Sequence, residues 1–137
     1  MNTVHASRAV NSTEVLKPVF NVLRITYAII PVVAGLDKFT DLLVDWEKYL
    51  HPGLISLLPF SPHTFMMIVG VIEIVAGIIV FIRPAVGGYI VMAWLTLITI
   101  TLLAGGHFLD VAFRDLAMAI GALTLARISK LFPSPAV

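Results

Sequence analysis

The chain has 137 residues, 59% hydrophobic and 12% charged, with mean hydropathy +1.00 and a formal net charge of +1. A soluble domain carries about 25% charged residues, so this composition belongs to the membrane class; the small net charge, without a basic run, excludes a nucleic-acid-binding surface. There is no cysteine, which excludes disulfides, thiolate catalysis, iron–sulfur clusters and Cys-based metal sites and leaves redox chemistry to a bound cofactor or a partner chain.

Residues 1–15 are polar and lack the apolar core of a signal peptide, which predicts a short, loosely ordered tail. The first apolar segment, 18–39, starts on Pro18, where a missing N–H costs nothing. It carries Arg24, which can snorkel back to the interface, and Pro31, which should kink the helix. It closes on Gly35-Leu36-Asp37-Lys38-Phe39. From there Phe39, Leu42, Leu43, Trp46, Tyr49 and Leu50 recur at helical spacing, opposite Asp41, Asp45, Glu47 and Lys48. That pattern predicts an amphipathic helix in the membrane interface, with Trp46 and Tyr49 as belt aromatics and His51-Pro52-Gly53 as its stop.

Ser61-Pro62 supplies a capping hydroxyl and a first-position proline for a second span at 63–82. The short Arg83-Pro84 turn forces an antiparallel third span at 86–104. A turn at Gly105-Gly106-His107 leads to a fourth at 109–128, and residues 131–137 form a Pro-rich tail. The expected fold is therefore all-α: an integral membrane four-helix antiparallel bundle over residues 16–130, with the interfacial amphipathic helix between spans one and two. Arg8, Lys17, Arg24, Arg83, Arg127 and Lys130 gather at the end that holds both termini. By the positive-inside rule both termini face the cytoplasm, in a bacterial cytoplasmic (inner) membrane.

One carboxylate breaks the second span. Glu73 sits near the middle of an otherwise uncharged run, 65–82, close to the bilayer midplane, where an ionisable group reads as functional or paired. It lies about ten residues past Ser61-Pro62, and Arg114-Asp115 lie about seven past His107. Their depths differ by about one helical turn, which makes Arg114 the expected partner of Glu73. Gly70, Ala76 and Gly77 share its face and admit a close neighbour. The expected site is a polar cluster of Asp37, Lys38, Glu73, Arg114 and Asp115. Glu73, Arg114 and Asp115 are its catalytic candidates; Asp37, Lys38, Glu73, Arg114 and Trp94 are its cofactor-binding candidates. Trp94, deep in the third span, needs a partner for its N–H or a pocket for its ring. The histidines offer no pair at matching depth for haem, and no metal site is expected, His107 with Asp110 being the weak alternative. A buried ion pair that only fixes helix order explains the same residues.

Gly35-Leu36-Asp37-Lys38-Phe39, Glu73-x-x-x-Gly77 with Arg83 beyond it, and Arg114-Asp115-Leu116 resemble the DoxX family of small four-helix membrane proteins over roughly 22–128. The resemblance implies membership of a membrane oxidoreductase assembly, with quinone as the candidate cofactor. Three functions follow in rank. The first is an accessory or structural subunit of a membrane oxidoreductase or respiratory complex. The second is a quinone-reactive oxidoreductase subunit, thiosulfate:quinone-like, with Trp94 or Tyr27 flanking the ring. The third is a small carrier or channel. The expected partners are the lipid bilayer and other membrane subunits or a second copy.

Overall fold

A computed structural model describes residues 2–132, with side chains from residue 12 onward. The chain is all-helical over these residues. The first helix, α1, runs Asn2–Thr40. The stretch expected as a loose tail is its opening turns, because no Gly or Pro interrupts residues 2–17. Pro18 and Pro31 both lie inside α1 rather than Pro18 opening it. Four further helices follow: α2 (Pro52–Leu57), α3 (Pro62–Ile82), α4 (Pro84–Gly105) and α5 (Leu109–Ile128), then a single 3₁₀ turn at Ser129–Leu131. The Pro-rich tail beyond residue 132 lies outside the described residues.

The helix ends follow from local chemistry. The Ser61 hydroxyl accepts from Thr64 N–H and caps α3, with Pro62 at its first position. Arg83 alone separates α3 from α4, which opens on Pro84. Gly106 ends α4 at φ +71°, donating its N–H to the Leu102 and Leu103 carbonyls, the left-handed stop that glycine adopts without strain.

The single amphipathic helix expected across 39–50 does not form. Asp41 turns left-handed at φ +50°, residues 41–45 are irregular, and only Trp46–Tyr49 (a 3₁₀ turn) and the short α2 are helical. The cause lies at Asp37, whose carboxylate takes the amides that a continuing helix would have used.

Among the described residues, three helical segments are long and apolar enough to cross a membrane: Ser12–Thr40, Pro62–Ile82 and Pro84–Gly105. The fourth expected span, α5, is set apart by Asp110, Arg114, Asp115 and Arg127. Apolar side chains such as Val22, Ile29, Val71, Phe81, Ile100 and Ile120 point outward around the long helices, a surface suited to lipid and not to water.

α1 lies along α3 and α4 along α5, with lighter contacts joining α3 to α4 and α1 to α5. Small residues set the spacing. A Cβ at Gly35 would stand 2.5 Å from the Gly70 carbonyl oxygen, and one at Gly77 2.5 Å from that of Ala28. These two points fix the register: rising along α1 from Ala28 to Gly35 descends α3 from Gly77 to Gly70. On α5 the inward residues Ala112, Asp115, Ala119, Ala122 and Ala126 form one stripe at helical period, with Leu125 buried beside it. Phe20, Ala28, Ala76, Val80, Val91, Ala122 and Leu125 form the core near the end opposite the 41–61 connection.

Candidate functional site

Glu73 is buried on the face of α3 that carries Gly70, Ala76 and Gly77. Because Gly70 lacks a side chain, α1 comes close enough for Lys38 Cβ to stand 3.2 Å from the position a Cβ would take there. From that point the Lys38 stem extends along α3, and Nζ donates to Glu73 Oε2 at 2.6 Å. Lys38 is 4% exposed and Glu73 9%. The second carboxylate oxygen, Oε1, accepts a long hydrogen bond from Trp94 Nε1 on α4 at 3.4 Å. Above the ammonium lies the Trp46 ring, 3.6 Å from Nζ to its centroid, a cation–π contact that replaces part of the lost hydration.

Asp37, the residue before Lys38, faces the connection. Its Oδ1 accepts from the amides of Leu42 and Leu43, both at 2.9 Å, and from the Thr40 hydroxyl at 3.2 Å. Its Oδ2 accepts from Val44 N at 3.2 Å and from Trp46 Nε1 at 2.8 Å. One carboxylate therefore ends α1, gathers the irregular segment and aims the indole that covers Lys38. Adjacent charged residues on one helix end do different things: Asp37 organises backbone, and Lys38 neutralises Glu73.

The structure corrects the expected Glu73–Arg114 pair. Among the described residues Arg114 makes no ion pair, and it is exposed. Asp115 faces inward on the alanine stripe of α5, and a neighbouring residue is rotated by about 100° of helix, which turns Arg114 off that face. Asp115 is 7% exposed and interacts electrostatically with Arg114, Glu73 and Lys38. Its carboxylate receives no hydrogen bond among the described residues. The expected cluster is thus brought together at Asp37, Lys38, Glu73, Trp94 and Asp115, without Arg114.

Sequence reasoning missed Trp46, read as a belt aromatic, although a tryptophan nine residues after a helix-ending Asp-Lys pair was the available signal. The expectation that Arg24 reaches toward the interface left its partner unnamed. Arg24 Nε donates to the Phe81 carbonyl at 2.9 Å and Nη2 donates to the same oxygen, with the guanidinium 5.2 Å from the Phe81 ring. It closes the last turn of α3. Tyr27 does not present its hydroxyl to an open site: it donates to the Met118 carbonyl at 2.7 Å, against Gly121.

Chemically, the centre is a buried charge-matched pair with the Trp94 N–H on one side and the Trp46 ring on the other, plus a buried carboxylate, Asp115, without a hydrogen bond among the described residues. Among the described residues no three His, Asp or Glu side chains converge as metal ligands. Neither family models, curated proteins nor solved structures give a match to the chain.

Proposed function

We propose that the chain is a DoxX-like four-helix antiparallel integral membrane protein that serves as an accessory, structural subunit of a membrane oxidoreductase complex. It sits in the bacterial cytoplasmic membrane with both termini inside, and α5 is its fourth span. The observation that carries the subunit role is Arg114, exposed and without an ion pair on α5. A charge on the lipid-facing side of a spanning helix is unfavourable, by about 2.5–3.5 kcal/mol at the centre and less at Arg114, in the second turn of α5, and a neighbouring protein's acceptor removes that cost. The Lys38–Glu73 pair argues the same way. Its charges are matched internally and its carboxylate oxygens are both engaged, which suits fixing α1 against α3 and not turnover. The oxidoreductase assignment rests on the DoxX resemblance.

Purification in mild detergent, followed by mass spectrometry of everything bound, tests this reading. Larger redox subunits should accompany the wild type and be lost from Arg114→Leu, with the circular dichroism of the variant unchanged. A lone, monodisperse wild-type protein would sink the proposal.

A second reading is favoured by Asp115. A buried carboxylate without a hydrogen bond among the described residues, interacting electrostatically with Lys38 and Glu73, supports a reading in which it exchanges protons with a quinone. Quinone reduction abolished by Asp115→Asn at an unchanged amount of folded chain would move the function from architecture to redox chemistry.

A further inference from the structure

The connection between α1 and α3 packs over the α4–α5 turn and leaves a cavity of about 270 Å³ there, apart from the buried pair. Tyr49, Leu50, Pro52, Leu102 and Phe108 form its apolar part, with the rings of Tyr49 and Phe108 edge to face at 4.8 Å. Its ionisable lining is Lys48, His51, His107 and the Tyr49 phenol, and no Asp or Glu lines it. The nearby carboxylates along the chain, Glu47 and Asp110, lie outside the lining, and Glu47 Oε1 lies 3.3 Å from His63 Nδ1.

The donors of this lining are unspent. Lys48 makes no ion pair among the described residues; its ammonium rests 5.1 Å from the Tyr49 ring centroid. His51 Nδ1 accepts from Gly53 N at 3.0 Å, which places the proton of the neutral imidazole on Nε2 and makes that atom a donor. Neither His107 nor the Tyr49 hydroxyl has a hydrogen bond among the described residues. The helix-end carbonyls of Leu102 and Leu103 are taken by Gly106 N–H. Outside the cavity lining, the same connection exposes large apolar side chains, Leu42 at 83% and Leu57 at 82%, so this end of the molecule suits the headgroup–acyl boundary.

We infer that the cavity binds a phosphate-bearing anion, supplied by the headgroup of an anionic membrane phospholipid. Lys48, His51 and His107 contact the phosphate, while Tyr49 and Phe108 hold the glycerol end. A volume just below the roughly 300 Å³ at which ligand pockets begin fits a headgroup fragment and not a whole lipid. The exposed leucines of the connection favour the lipid source over a soluble anion, because an apolar surface on the segment that also lines the cavity suits the membrane boundary.

Native mass spectrometry of the full chain from detergent micelles, with phosphatidylglycerol, phosphatidylcholine or inorganic phosphate added separately, tests the assignment. Phosphatidylglycerol should bind at least tenfold more tightly than phosphatidylcholine. Lys48→Gln and His107→Gln, both at exposed positions without hydrogen bonds, should each weaken it about tenfold, the scale of one charge-assisted hydrogen bond. His51→Asn controls for loss of the α2 cap. Binding of inorganic phosphate with the same Lys48 and His107 dependence, undiminished by lipid, would replace the lipid source with a soluble one. Equal binding of both lipids, or phosphatidylglycerol binding indifferent to Lys48→Gln and His107→Gln alike, would overturn the site.

Discussion

The ammonium of Lys38 lies 2.6 Å from Glu73 Oε2 although the Lys38 Cβ packs opposite Gly70, three residues short of Glu73 along α3. The side chain spans the offset of about 4.5 Å by running inward along the helix. A lysine near a helix end ordinarily runs outward to water; here the buried carboxylate ahead and the Trp46 ring behind reverse that direction. Removing one partner leaves an uncompensated buried charge, so Glu73→Leu or Lys38→Met alone should destabilise the protein by about 3–5 kcal/mol. Lys38→Met with Glu73→Leu should recover most of that loss. Thermal unfolding of the four proteins in one detergent measures the coupling. Additive losses would show that the pair does not hold α1 to α3.

Asp37 should prove to be the organiser of the connection and not part of the buried pair. Asp37→Ala removes the acceptor of three amides and the Trp46 indole. At about 1.5–3 kcal/mol for a hydrogen bond to a charged group, losing even one net bond is visible. Hydrogen exchange at Leu42, Leu43 and Val44 should accelerate, and Trp46 fluorescence should shift to the red. Exchange in the middle of α4 should stay as in the wild type. Acceleration spread evenly over all helices would instead make Asp37 a determinant of global stability.

The same two residues show which parts of the molecule were legible in the sequence. Apolar runs and their punctuation, Ser61-Pro62, Arg83-Pro84 and Gly105-Gly106, located α3 and α4 almost to the residue because caps and breakers act locally. That Glu73 needs company was legible too, since it stands isolated in an apolar run, but the company was not: Arg114 was expected and Trp46 was not. Depth along separate helices made Arg114 as good a partner as Lys38; only helix rotation, which turns Asp115 inward and Arg114 outward, and the close α1–α3 approach at Gly35 and Gly70 decided between them. The connection was misread because helical spacing from Phe39 to Leu50 is genuine, while the Asp37 carboxylate competes for the amides of residues 42–44 and stops the helix. Side-chain capture of backbone at such range leaves no periodic trace.

Close approach of α1 to α3 rests on glycine at two levels. Gly77→Ala would place a methyl against the Ala28 carbonyl, and Gly35→Ala would place one against that of Gly70; in both cases the obstacle is backbone, which cannot rotate away. Each should destabilise by about 1–3 kcal/mol, the range for overpacking. Gly35→Ala should in addition weaken the Lys38–Glu73 pair, because it pushes apart the segment from which Lys38 reaches. A double-mutant cycle between Gly35→Ala and Glu73→Gln reads that coupling. For Gly77→Ala with Glu73→Gln, two turns from the Lys38 contact, the expected coupling is smaller.

Asp115 separates the architectural reading from the catalytic one most cleanly, because its burial is not accompanied by a hydrogen bond. Asp115→Asn removes no hydrogen bond, ion pair or packing volume of consequence, so the melting temperature should move little, corresponding to within about 0.5 kcal/mol. Glu73→Gln, by contrast, strips Lys38 of its counter-charge and should unfold the protein earlier. In an accessory subunit both substitutions act through stability alone: oxidoreductase activity of the assembled complex should track the amount of folded chain, and Asp115→Asn should keep it. In a quinone-reactive subunit the same neutral substitution should abolish turnover at unchanged stability. Complex activity normalised to folded chain, measured beside the melting temperature for each variant, therefore distinguishes the two. Wild-type turnover per folded Asp115→Asn chain supports the architectural role, in which the carboxylate is tolerated on the alanine stripe by the nearby Lys38 and Arg114 charges.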